Sequence, residues 1–310
     1  MDASDAATGP SSRHAAIAIR LEGLVKDYGA VHAVRGVDLE VRQGEVFGFL
    51  GPNGSGKTTT IRCMLDLLRP TAGRVEVLGL DPRRAGVALR ARLAYLPGEL
   101  RLPERQSVRQ FVATIGRLRG GYDERRRDEL AERLGLELGR RMRDLSSGNR
   151  RKVALLLAFL ADAELLVLDE PTNGLDPLLQ HEFLRLTREA RDAGKTVFLS
   201  SHVLGEVQRA ADRVAILRAG KVVAVGTVDE LRGRARQRVD VWFRDSAPVA
   251  ELQDVPGLAG QLYDGRRFSA VLTGPIQPLI EVLARRPVES MLVEEPDLED
   301  AFLDLYGPVA

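Results

Sequence analysis

The chain has 310 residues, 44% hydrophobic and 29% charged, enough material for one large domain or one domain plus a small appendage. Its longest unbroken apolar run, Val153–Ala161, is far shorter than the roughly 20 residues of a bilayer span. A net charge of +1 gives no polyanion footprint, and a lone cysteine, Cys63, excludes a disulfide framework and a cysteine-based zinc site and fits a cytosolic protein.

Residues 1–14 read as a disordered tail: small and polar, with no apolar stretch of a signal peptide. Order is expected from about Ile17, with strands at Ile17–Leu21, Val37–Val41 and Val46–Leu50. A helix is predicted from Gly56 to Arg69. Its Ile61, Met64, Leu65 and Leu68 fall on one face, and Pro70 ends it. After a strand at Leu93–Leu96 the character changes. From about Gly98 to Ala161 arginine-rich helices dominate, at Val108–Arg119, Asp123–Leu134 and Arg150–Leu160. The strand Glu164–Leu168 follows, then a helix carrying Leu179, Phe183 and Leu186, and a strand at Thr196–Ser200. The span Arg213–Gly226 reads as a hairpin turning at Ala219-Gly220. An arginine-rich connector, Gly233–Arg238, leads to a strand with alternating Val239, Val241 and Phe243. A last helix is predicted on Leu298, Ala301, Phe302 and Leu305. The expected plan is an α/β core over residues 15–232, a helical insert at about 98–161, and a small α+β domain over 233–310.

The most specific motif is Gly51-Pro52-Asn53-Gly54-Ser55-Gly56-Lys57-Thr58, which satisfies G-x-x-x-x-G-K-[ST] between a strand and a helix. Glycines let backbone N–H groups converge on phosphate oxygens, and the helix N-terminus adds partial positive charge. Lys57 is expected to reach the β- and γ-phosphates and Thr58 to bind Mg²⁺, with Thr59 beside it in the phosphate-binding run. The second half of such a site is the apolar run Leu165–Leu168, which ends in Asp169-Glu170. A carboxylate at that strand end, Asp169, can hold the Mg²⁺ shell, and the adjacent Glu170 can polarise a water for in-line attack.

Between these halves lies Leu145-Ser146-Ser147-Gly148-Asn149, just before a helix. It resembles the LSGGQ signature of the nucleotide-binding subunits of ABC transporters. The resemblance covers about Ile17 to Leu231 and implies a P-loop ABC-type ATPase that uses ATP and Mg²⁺. It implies a head-to-tail dimer with a second ATPase subunit, in which Ser146, Ser147 and Gly148 cap the neighbour's ATP. Tyr28 resembles the aromatic that stacks on adenine, and Asn173-Gly174-Leu175-Asp176 the loop that crosses to the other site. His202 resembles the switch histidine at the γ-phosphate. His14, His32 and His181 have no supporting motif and are expected to be surface or packing residues.

One position departs from the family pattern. Gly98 stands where a glutamine is expected, in Pro97-Gly98-Glu99 after the Leu93–Leu96 strand. Either Glu99 serves one residue late, with Gly98 giving the loop the freedom to bring it there, or Mg²⁺ has one protein ligand fewer. At the far end, Pro296-Asp297-Leu298-Glu299-Asp300-Ala301-Phe302-Leu303 looks like the ending of exporter ATPases, similar to daunorubicin-resistance-type drug exporters. The implied function is export of drugs or other small molecules through an integral membrane permease on a separate chain. The protein would then be peripheral, on the cytoplasmic face of the membrane.

Two alternative functions fit the sequence less well. Importer ATPases with C-terminal domains carry β-rich modules, whereas this tail reads as α+β. Ribosome-acting relatives carry two cassettes and DNA-repair relatives long coiled coils. This chain has one P-loop and a short insert, so no nucleic-acid partner is expected.

Overall fold

The computed structural model describes residues 16–233 and 237–294. The predicted tail at 1–14, part of the Gly233–Arg238 connector and the helix on Leu298–Leu305 lie outside the described residues. The chain divides into two compact units. Among the described residues, one comprises 16–47, Asn53–Ser200 and Ala219–Lys221, the other Gly48–Pro52, Ser201–Arg218, 222–233 and 237–294.

The chain opens with a hairpin of β1 (Ile17–Tyr28) and β2 (Val31–Arg42), in which Tyr28 pairs with Val31 across Gly29-Ala30. Both strands run further than their apolar alternation predicts, because register shifts near Gly23 let β1 bend and continue pairing. After β3 (Val46–Leu50) comes α1 (Lys57–Met64). This helix is shorter than the predicted 56–69. Asp66 adopts φ 55°, and the amides of Leu67 and Leu68 turn back to the Arg62 carbonyl, closing the helix before Pro70 is reached.

Next come β4 (Ala72–Val77), α2 (Gly86–Arg92) and β5 (Leu93–Leu96). Neither β4 nor α2 was predicted. Half of β4 is exposed and α2 buries only Leu89, so neither carries a strong apolar pattern. β1 lies between β2 and β4 in an antiparallel sheet of three strands.

The predicted helical insert is present as α3 (Val108–Leu118), α4 (Glu124–Arg133), one 3-10 turn (Met142–Asp144) and α5 (Ser147–Leu160). A capping box between Ser107 and Gln110 starts α3, and the Asp123 carboxylate starts α4. Then come β6 (Leu165–Asp169), α6 (Pro177–Asp192) and β7 (Thr196–Ser201). Every residue of β6 is buried, as expected of a strand covered on both faces. It runs parallel to β5 and to β7, and its register sets Asp169 opposite Ser200.

The chain continues as α7 (Leu204–Ala210), the hairpin of β8 (Arg213–Arg218) and β9 (Lys221–Thr227), and α8 (Val228–Gly233). The main sheet has the order β5-β6-β7-β3-β8-β9.

The remainder is β10 (Gln237–Phe243), α9 (Val249–Gln253), β11 (Leu258–Asp264), β12 (Arg267–Leu272), α10 (Gln277–Leu283) and β13 (Val288–Glu294). The strand order is β11-β12-β10-β13, with every neighbouring pair antiparallel. This is a split β-α-β arrangement. Val239, Val241 and Phe243 of β10 share a core with Phe268, Leu252 of α9 and Leu279 of α10. The α+β reading of this region is therefore borne out, and so is the α/β core with its helical insert.

Candidate nucleotide site

The phosphate loop follows from a buried strand and two permissive glycines. All five residues of β3 are buried, so the chain leaves the sheet at a fixed point. Gly54 and Gly56 take φ 81° and 108°, conformations that L side chains rarely adopt. The loop delivers Lys57 as the first residue of α1, with Thr58 and Thr59 in the first turn, where the helix carries its partial positive charge. Pro52, Asn53 and Gly54 are exposed, whereas Gly51, Ser55 and Lys57 are buried. The buried Ser55 hydroxyl has no hydrogen-bond partner among the described residues.

Opposite the loop stand the two carboxylates of the β6 end. Glu170 Oε1 lies 3.2 Å from the Lys57 ammonium. Glu170 has φ 50°, a left-handed conformation that costs a side-chain-bearing residue about 1–3 kcal/mol. Ser200 holds it there: the Glu170 amide donates to the Ser200 carbonyl at 3.2 Å and to its hydroxyl at 3.1 Å. The same hydroxyl donates to Asp169 Oδ1 at 2.6 Å. Asp169 is fully buried, and its second oxygen, Oδ2, has no hydrogen-bond partner.

A buried carboxylate oxygen without a partner is costly unless a cation or donor joins it. The donor set suits a hard cation, which favours oxygen ligands. Nearby, burial and then the Asp169 charge push the Tyr95 hydroxyl up to about 12, which keeps it a neutral phenol. Ser200 was read from sequence only as part of the run before His202. The signal that could have found it is a Ser-Ser pair closing the otherwise apolar strand Thr196–Leu199.

The departure at Gly98 has a physical reason. Its φ is not positive, so the expectation that glycine supplies unusual backbone freedom is corrected. A Cβ built on Gly98 would lie 3.2 Å from Asp169 Oδ2, tighter than ordinary van der Waals contact. A side chain at position 98 would need the Asp169 carboxylate to give by a few tenths of an ångström. Glu99 is exposed.

The remaining predicted residues sit on helix ends and strand ends. Ser146 caps α5, its hydroxyl accepting from the Asn149 amide at 3.3 Å. Ser147 and Gly148 form the first turn of α5, and a Cβ on Gly148 would come 3.2 Å from the Gly174 carbonyl. This close approach ties the signature segment to the 173–176 loop within one chain. Asp176 caps α6 by accepting from the Leu179 amide at 3.0 Å. Tyr28 is 46% exposed at the end of β1, with the Lys26 ammonium 5.1 Å from its ring centroid. His202 is exposed, one residue beyond β7. His32 is also exposed and pairs with Asp27 at 2.7 Å, and His181 is exposed on α6. The structure thus brings Lys57, Glu170, Asp169 and Gly98 together directly. Ser146 and Asp176 bond to backbone amides of the helices they open.

A family model described as ABC transporter matches residues 34–173. The chain is 38% identical to a daunorubicin resistance ATP-binding protein of Streptomyces coeruleorubidus, over 94% of this chain and 96% of that one. It is 30% identical to the bacitracin transport ATP-binding protein of Bacillus licheniformis, over 93% and 97% of the respective chains. A solved ATP-binding subunit of an ABC transporter is 30% identical and superposes with a TM-score of 0.64, covering 69% of this chain and 91% of that one.

Proposed function

The chain belongs to the ATP-binding subunits of ABC transporters and is an ATPase, and we propose that it energises export of drugs or other small molecules through a separate membrane permease. The observation that carries the chemistry is the cluster at the β6 end. Lys57 and Glu170 stand 3.2 Å apart, beside a buried Asp169 whose Oδ2 lacks a partner. In this reading the Gly51–Thr59 run binds the phosphates of ATP and Tyr28 stacks on its adenine. Thr58 and Asp169 hold Mg²⁺, which neutralises phosphate charge. Glu170 orients the attacking water, and His202 reaches the γ-phosphate. We assign residues 15–232 to the ATPase module and 233–310 to an accessory domain.

Ser146, Ser147, Gly148 and Asp176 serve a second subunit in a head-to-tail dimer. The exposure of Ser146, Ser147 and Asp176 supports this role, as does that of Leu178, 82% exposed just after Asp176. Among the described residues no helix is long and apolar enough to cross a membrane. A peripheral position on the cytoplasmic face of the membrane follows from the proposed permease. The export reading rests on the names of relatives matched along nearly their whole length, daunorubicin resistance among them.

The experiment is to purify the tagged chain from its own cells in mild detergent. A multi-span membrane protein should accompany it, and the complex should hydrolyse Mg-ATP. Recovery with ribosomes instead would overturn the transport reading.

A further inference from the structure

Arg151 lies on α5, five residues after its Ser146 cap, and is only 6% exposed. Its guanidinium does not end on a carboxylate. Nη1 donates to the Pro97 carbonyl at 3.0 Å and Nη2 to the Gly98 carbonyl at 2.8 Å. Burial works against its charge, while the charges of Asp169 and Glu170 favour it. A planar guanidinium gripping two successive carbonyls fixes that loop in position and in orientation. The gripped loop is the one that presses Gly98 against Asp169, on the oxygen that has no partner.

We propose that Arg151 is a positioning residue for hydrolysis: by holding the Pro97 and Gly98 carbonyls it sets the distance between this loop and the Asp169 carboxylate. That distance also makes a side chain at position 98 a tight fit against Asp169. The arrangement links the helix that opens at the signature segment to Asp169 through backbone rather than through a glutamine side chain. The inference rests on reading Asp169 as the carboxylate that holds Mg²⁺.

The test is a double-mutant cycle on the full chain, with Arg151→Met, Arg151→Lys, Gly98→Ala and Arg151→Met/Gly98→Ala. Three quantities are read: nucleotide affinity without metal, the Mg²⁺ concentration for half-maximal turnover, and the melting temperature of the metal-free, nucleotide-free protein. Arg151→Met should lower turnover about tenfold and raise the half-saturating Mg²⁺ several-fold, with nucleotide affinity within about twofold of wild type. Arg151→Lys keeps a donor but not the fork and should fall between the two. Gly98→Ala alone should lower both turnover and melting temperature. In the Arg151→Met background, with the loop free to back away, both penalties should shrink to less than half. Additive penalties in the cycle, or a half-saturating Mg²⁺ unchanged in both Arg151 variants, would overturn the proposal. If Asp169→Asn leaves the Mg²⁺ requirement unchanged, the metal reading fails rather than the clamp.

Discussion

Two buried aspartates in this chain show opposite solutions to one physical problem. Asp240, on β10, is 4% exposed and well supplied by its own sheet. Oδ1 accepts from the Ser269 hydroxyl and from Arg267 at 2.8 and 3.1 Å, and Oδ2 lies 3.4 Å from Arg238. Arg267 also lies over the Trp242 ring, 5.4 Å from its centroid. Asp169 is more deeply buried and has Ser200 on one oxygen and nothing on the other. A saturated buried carboxylate is a structural part. One left incomplete marks the place where something from outside the chain completes it.

The strongest way to break this contrast is to attack the incomplete end. Glu170→Gln should lower turnover by about a hundredfold or more while Mg-ATP still binds, because the carboxylate proposed to orient the water is lost. Sedimentation with Mg-ATP should show a dimer accumulating in this variant. Wild-type turnover would remove Glu170 from the site. Next in size, Lys57→Ala should lower ATP affinity, turnover or both by about tenfold or more, since the proposed charged contact to phosphate is lost. Equilibrium binding and steady-state kinetics on the same preparation decide it.

The other end of the contrast predicts a change in stability without a change in chemistry. Asp240→Asn should cost about 1–3 kcal/mol in urea unfolding through the loss of charge-assisted bonds, with the ATPase rate at saturating Mg-ATP unaltered. A large drop in turnover would mean that the two aspartates are not opposites.

The smallest effect is in acid. Ser269 and then Arg267 hold the Asp240 carboxyl below the usual range. Its contribution is therefore complete above the unfolded-state value of about 3.9 and disappears as pH falls through the folded-state value. The stability gap between wild type and Asp240→Asn should be constant above about pH 5 and should close as pH falls below about 4. A gap that widens in acid would reverse the assignment.

What could be read from the sequence follows from how each feature is encoded. The phosphate loop and the Asp169-Glu170 strand end are local: one run of residues specifies each, and its flanking elements are strongly apolar. The parallel strands β5, β6 and β7 show as short apolar runs for the same reason. Features set by approach in space were not legible. Gly98 reads as a lost glutamine until its distance to Asp169 is known. Arg151 is one arginine among many in the insert, and nothing local says that its guanidinium is buried against two carbonyls. The early end of α1 was hidden because Leu68 continues the helical period of Ile61, Met64 and Leu65 after the backbone has turned at Asp66. The strand order of the C-terminal sheet depends on pairings between distant segments, which a period-2 pattern does not specify.

The pairing of Lys57 with Glu170 carries one more consequence. At 3.2 Å the ammonium and the carboxylate form an ion pair within the chain. An incoming phosphate competes for the same ammonium, and a single point charge is divided between two anions. In the proposed reading, arrival of the nucleotide would be an exchange of partners: Lys57 would turn to phosphate, and Glu170 would be released from its counter-ion to meet a water. On that reading the carboxylate would be paired whenever there is nothing to hydrolyse.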